Sequence, residues 1–76
     1  MHLVIAKVDE NLFDGEAASV TLPATEGEMT VLPEHEPFIT TLKAGIITVR
    51  SEEGEKTFQI EGGILEVRPE GATVIL

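Results

Sequence analysis

The chain reads as an all-β fold, a sandwich or barrel of short antiparallel strands. Three observations predict this. Apolar and polar residues alternate with period two through most of the chain. Glycine- and proline-bearing turn signals recur at intervals of roughly 8 to 12 residues, the spacing of small β-domains. No window sustains apolar residues at helical spacing between caps.

The elements follow in order. "MHLVIAKV" opens directly on a strand-like run. "FDGE" then offers Asp14-Gly15 as a turn. In "AASVTL", Ala18, Val20 and Leu22 share one face, and Ala17, Ser19 and Thr21 the other. "FITTL" is followed by "KAG", where Gly45 reads as a turn. "GIITVR" sets Ile47 and Val49 together, opposite Thr48 and Arg50. "VRSEEGEKTF" is the clearest hairpin, two alternating runs around Gly54. "KTFQIE" turns Phe58 and Ile60 inward. "EGG" reads as a tight turn or bulge at Gly62 and Gly63, and "RPEG" as a turn at Pro69 and Gly71. "GILEVR" and "ATVIL" repeat the alternation, and β-branched residues fill these runs as a half-buried pleated surface prefers.

Composition narrows the function. The 76 residues hold one domain at most, 1–76, with no linker and no repeat. A domain this small buries about 60% of its unfolded surface. Its stability is expected at roughly 4 to 11 kcal/mol. There is no cysteine, which suits a reducing compartment and excludes disulfides and thiolate metal sites. Fourteen acidic residues against five basic give a net charge of −9. Phosphate backbones and anionic lipid repel such a surface, so neither nucleic acid nor direct lipid insertion is expected. A basic protein surface, a cation or plain solubility remain as reasons for the charge. No apolar run is long enough to span a membrane. No signal or Arg-rich transit sequence precedes the first run, from which a bacterial or organelle-encoded origin is expected.

One stretch invites chemistry. "GEMTVLPEHEP" crowds Glu28, Glu34 and Glu36, with Glu26 just before them, around His35 and fences the histidine with Pro33 and Pro37. A nucleophilic triad needs a serine or threonine beside an oriented histidine. The serines, Ser19 and Ser51, fall in a strand and a hairpin flank without a nucleophile-elbow sequence. A glycosidase pair needs a carboxylate buried across a cleft, whereas most of these glutamates flank glycines in turns. Glu34, His35 and Glu36 carry metal-ligand chemistry, but on an extended chain the histidine points opposite to both carboxylates. The Asp/Asn spacing of a calcium loop is absent, and "EGGILEV" lacks the lysine and helix of a phosphate-binding loop. A stiff, exposed acidic loop that binds is the reading left. No catalytic residue, metal or cofactor is expected.

The order of landmarks resembles a known family. Phe13, Gly15-Glu16, Val20, Pro23 and Glu26-Gly27-Glu28 come first. Leu32-Pro33, His35, Pro37, Thr40, Leu42 and Gly45 follow, and Gly62-Gly63 with Leu65-Glu66-Val67 close the pattern. In that order and spacing the chain resembles, over essentially its whole length, the N-terminal β-domain of the epsilon subunit of F-type ATP synthases. The resemblance implies a flattened antiparallel sandwich of about ten short strands in two five-stranded sheets. It implies a non-catalytic central-stalk rotor subunit that links the gamma subunit to the loops of the membrane c-ring, and couples proton flow to ATP synthesis. The catalytic alpha/beta head would be an indirect partner. The setting implied is peripheral, on the cytoplasmic face of a bacterial plasma membrane or the stromal face of a thylakoid. Glu26, Glu28, Glu34 and Glu36 correspond to the loop that faces the c-ring, with Glu28 foremost. His35 and Thr40 correspond to positions toward gamma. Phe38 and Leu42, on the same strand, are expected to add apolar contact to gamma, because so small a domain leaves apolar surface for a partner.

Two rivals stay open on the residues alone: a free-standing acidic module for a small ligand or basic peptide, and a metal-dependent hydrolase built on His35. Typical family members continue into a two-helix hairpin that inserts toward the catalytic head and in some members binds ATP. The 76 residues stop short of such a hairpin, so they are expected neither to bind ATP nor to inhibit hydrolysis by insertion. Micromolar nucleotide binding in a titration of these residues would refute that.

Overall fold

A computed structural model describes residues 1–76. Seven strands form one hydrogen-bonded network: β1 (His2–Ala6), β2 (Asn11–Glu16), β3 (Ser19–Ala24), β4 (Gly27–Val31), β5 (Phe38–Ser51), β6 (Gly54–Arg68) and β7 (Gly71–Ile75). Their spatial order is β2-β1-β7-β6-β5-β3-β4. Every contact between neighbours is antiparallel except β1 with β7.

The expected β-class holds, but the count of about ten strands in two five-stranded sheets does not. β5 and β6 are each long enough to serve both layers. β7 pairs only with Ile64–Arg68 of β6, and Phe38–Thr41 of β5 lies beyond that segment. β3 instead pairs mainly with the far half of β5, through Thr48, Val49 and Arg50, and reaches Leu42 only past a register shift. One layer is therefore β2, β1, β7 and the second half of β6 with the first half of β5. The other is β4, β3 and the remaining halves of β5 and β6. Three signals read as turns lie inside strands: Asp14-Gly15 in β2, Gly45 in β5 and Gly62-Gly63 in β6. The turns at Glu52-Glu53 and Pro69-Glu70 are turns in the structure.

The glycines inside the long strands have a mechanical reason. The β5–β6 register is unbroken from Phe38↔Val67 to Ser51↔Gly54. Yet Leu42 and Leu65 face the core on one side of this ribbon, while Ile47, Val49 and Ile60 face it from the other. The ribbon rolls over between its halves. Gly62 and Gly63 sit at that roll with φ of 155° each, a region that side chains other than hydrogen disfavour. A Cβ on Gly63 would also lie 2.7 Å from the Ile75 carbonyl oxygen. Gly45 answers a different need. β3 is flanked on both sides, so Pro23 would ordinarily break its ladder. The β3–β5 register shifts between Thr21 and Ala24, and Gly45 gives the proline ring room.

Fifteen apolar side chains form one core, with no buried polar group and no unpartnered buried polar atom. Leu3, Ile5, Leu22, Ile47 and Leu65 are its largest fully buried members. Each contributes about 1.5 to 3 kcal/mol from burial. Where the layers diverge, two seams remain. At one, β2 lies opposite the first half of β6, joined by an edge-to-face contact of Phe13 and Phe58 at 6.4 Å. At the other, β4 lies opposite the first half of β5, and the Thr25 amide donates to the Thr41 carbonyl at 3.1 Å.

Gly63→Ala is expected to lower stability by about 2 kcal/mol or more, from backbone strain plus the clash. Thermal unfolding would then show a melting temperature about 8 °C lower or more. The exposed neighbour change Ile64→Ala is expected to cost about 1 kcal/mol or less. Equal losses at the two positions would remove the roll-over argument.

Candidate functional site

The site is the second seam and the loop above it. β3 and β4 form a hairpin whose turn is Thr25-Glu26, with Ala24 paired to Gly27 and Pro23 to Glu28. Gly27 takes a φ of 138° to close that turn. Glu26 therefore sits on the tip and Glu28 on the open edge strand, and both are exposed. Glu26, Glu28, Phe38 and Thr40 line one shallow depression of about 380 Å³. Two groups of predicted residues, assigned to different partners, thus meet in one place.

Glu34 and Glu36 are elsewhere. They lie on the β4–β5 connection, past the opposite end of β4, and are exposed. Glu34 itself is in the left-handed region at φ 69°, the one non-glycine residue to take it, directly after Pro33. His35 is exposed as well; its Nδ1 is 3.1 Å from the Glu36 carbonyl oxygen, and its ring lies 5.0 Å from that of Phe38. The loop is thus pinned to the seam through a ring contact. None of Glu26, Glu28, Glu34 and Glu36 takes part in an ion pair. Arg50 and Arg68 instead pair with Glu55, Glu66 and Glu70. Glu34, His35 and Glu36 do not converge, and no three His, Asp or Glu side chains are placed to share an ion.

Leu42 requires a correction. It is 5% exposed and belongs to the core, so its side chain is not available to a partner. Phe38 packs half-buried against the same core, on the same face of β5. Alternation puts Ile39 on the opposite face, where it is 69% exposed. It is not alone there. Thr41, Ile64, Ile75 and Ala6 sit in register across four strands, with Ile64 and Ile75 about half exposed. The apolar row missed in the sequence is this outer one. Its signal was present: in "FITTL" and "GIL" the apolar run exceeds what one face of a strand can bury.

Comparison with known proteins gives the arrangement a context. The family model of the β-sandwich domain of the ATP synthase delta/epsilon chain matches residues 1–76. An ATP synthase epsilon chain of Bordetella avium is 41% identical over 76 residues, covering 99% of this chain and 54% of that one. One from Caulobacter vibrioides is 40% identical over 75 residues, covering 99% of this chain and 87% of that one. The chain thus spans about half the length of several relatives and most of another. A chain in the cryo-EM structure of the Euglena gracilis mitochondrial ATP synthase, OSCP/F1/c-ring, superposes with a TM-score of 0.90 at 32% identity. That match covers 99% of this chain and 49% of that one.

The structure separates surface from core along the seam. Leu42→Ala is expected to cost about 2 to 5 kcal/mol. Glu28→Lys is expected to stay within about 0.5 kcal/mol. Urea unfolding of the two variants checks both, and a strongly destabilised Glu28→Lys would mean that the glutamate is structural.

Proposed function

The chain belongs to the ATP synthase delta/epsilon β-sandwich family, and from that premise we propose that it acts as a central-stalk rotor component of an F-type ATP synthase, linking the gamma subunit to the membrane c-ring. The observation that carries this reading is the family match over all 76 residues. The same fold in an assembly containing F1 and a c-ring supports it. In this role the domain catalyses nothing. It transmits torque and so helps couple proton flow to ATP synthesis, peripheral to a bacterial plasma membrane on its cytoplasmic face.

The geometry suits that work. Glu28 and Glu26 project from an edge strand and a hairpin tip, unpaired and exposed, where a ring of basic loops could meet them. Each exposed pair contributes only about 0 to 1 kcal/mol, so repetition around a ring matters more than any one bridge. Complementary charge of this kind fixes orientation and speeds docking. Glu34 and Glu36 extend the same sign of charge along the connection to β5. On the gamma side, His35 against Phe38, with Thr40, forms a fixed polar and aromatic shoulder. The outer row of Ile39, Ile64 and Ile75 supplies the apolar area that a permanent partner covers. Pro33 and Pro37 restrict the connecting loop before any partner arrives, which lowers the ordering cost of binding.

Glu28→Lys in the assembled synthase is expected to reduce proton-driven ATP synthesis about twofold to fivefold at low salt, equivalent to about 0.5 to 1 kcal/mol. The deficit should fade as ionic strength rises, because exposed charges are screened. Unchanged coupling at low salt, measured in inverted vesicles, would sink the acidic contact.

A further inference from the structure

The first seam holds a second surface that the rotor reading does not use. A cleft of about 750 Å³ opens between β2 and the tip of the β5–β6 hairpin, the larger of the molecule's two depressions. Its floor is apolar, formed by Leu12, Phe13, Ala17 and Pro33. Its walls are acidic. Glu52 and Glu53 stand on the hairpin tip with no ion pair, across from Asp14 and Glu16 on β2, whose carboxylates already pair with His2 and the Met1 ammonium. Two cations lie at the cleft: Lys56, 5.8 Å over the Phe13 ring, and the Met1 ammonium, which is held by Glu16 at 2.9 Å.

Both walls also carry unused backbone. β2 is the last strand of the network, and β6 between Gly54 and Ile60 has a neighbour on one side only. The phase of β2 can be read from its end. Ala17 and Met1 exchange both backbone bonds, each at 2.9 Å. In an antiparallel ladder the exchanging pairs alternate with non-exchanging ones. Leu3↔Gly15 and Ile5↔Phe13 therefore continue the exchanging set, and the amides and carbonyls of Asp14 and Glu16 point away from β1, along the open edge.

We propose that this cleft is a docking groove for an extended, lysine- or arginine-bearing segment of a partner protein, which adds as a strand to β2 and sets its basic side chains against Glu52 and Glu53. Strand addition takes its affinity from main-chain bonds and its specificity from side-chain pockets on alternate residues. Here the outward groups of Asp14 and Glu16 supply the main-chain bonds. The apolar floor around Phe13 takes the aliphatic stem of a lysine or arginine, whose charged end reaches the hairpin carboxylates. A second copy of this chain is a poor occupant, because its own edges are acidic and the chain carries −9.

The probe is an acetylated, amidated octapeptide of alternating lysine and valine, titrated into the 15N-labelled protein at low salt. Amide shifts are expected in Leu12–Glu16 and Ser51–Lys56, with new protection from exchange at Asp14 and Glu16. Glu52→Lys/Glu53→Lys lies on an exposed turn and is expected to weaken binding about tenfold, as does a rise in salt through the screening range. Asp14→Pro removes an outward donor without touching a β1 bond and is expected to abolish the protection at Glu16. Shifts spread evenly over Glu26, Glu28 and Glu34, affinity unchanged in the double hairpin variant, or no binding at millimolar peptide would each overturn the proposal.

Discussion

The rest of the structure depends on one constraint: a single two-stranded ribbon, β5 with β6, has to face the core from both of its sides. Its first half presents Leu42 and Leu65 to the interior, and its second half Ile47, Val49 and Ile60. A ribbon that kept one face inward would leave either half's apolar residues in water. At roughly 25 cal/mol per Å² of apolar surface, that would exceed the strain of a local roll. The roll concentrates that strain at Gly62 and Gly63, where absence of a Cβ makes it tolerable. It also decides where the seams fall. Because the ribbon crosses from one layer to the other, each layer ends on one half of it, and the strands opposite, β2 and β4, are left as edges.

Class was legible in the sequence, and strand count was not, for the same reason. Alternation is a local property, so Val20 and Leu22, or Ile47 and Val49, declare their shared face within a few residues. Glycine is ambiguous, since it marks both a chain reversal and a twisted extended strand. Gly54 and Gly71 follow reversals, whereas Gly45, Gly62 and Gly63 do not. What separated them was a slip of phase. The inward set moves from Leu42 to Ile47 and from Ile60 to Leu65, changing parity each time. A true turn resets the phase with no obligation on either side, but here both strands slip opposite one another, as only one continuous ribbon does.

The candidate site was legible in part. Glu26 and Glu28 are where an exposed hairpin should put them, and their nearness to Phe38 and Thr40 is tertiary, created when β5 returns past β4. Leu42 was misplaced because apolar character says that a side chain is covered, and not by what. Phe38, Thr40 and Leu42 share a face that runs from the half-buried rim into the core, and the exposed side chains of that stretch, Ile39 and Thr41, lie on the opposite face. The row through Ile64 and Ile75 depends on register between strands distant in sequence, which local pattern does not reveal.

Edges and charge together explain why so acidic a chain keeps two open seams. Exposed strand edges invite pairing with other copies, and small β-proteins resist it with charge. Both edges here carry carboxylates: Asp14 and Glu16 on β2, Glu28 on β4. Copies approaching edge to edge meet like charge, and the repulsion grows with the whole surface, not one pair. The same arrangement is permissive toward a basic surface, for which the repulsion changes sign. A charge pattern that disfavours edge-to-edge pairing of copies is therefore the same pattern that would favour a basic partner. The two seams differ in shape, the β4 seam bounded by a proline-bearing loop and the β2 seam by a cleft lined by Phe13. A change that neutralises an edge would thus act twice, weakening any attraction to a basic surface and, by the same step, removing the repulsion between copies.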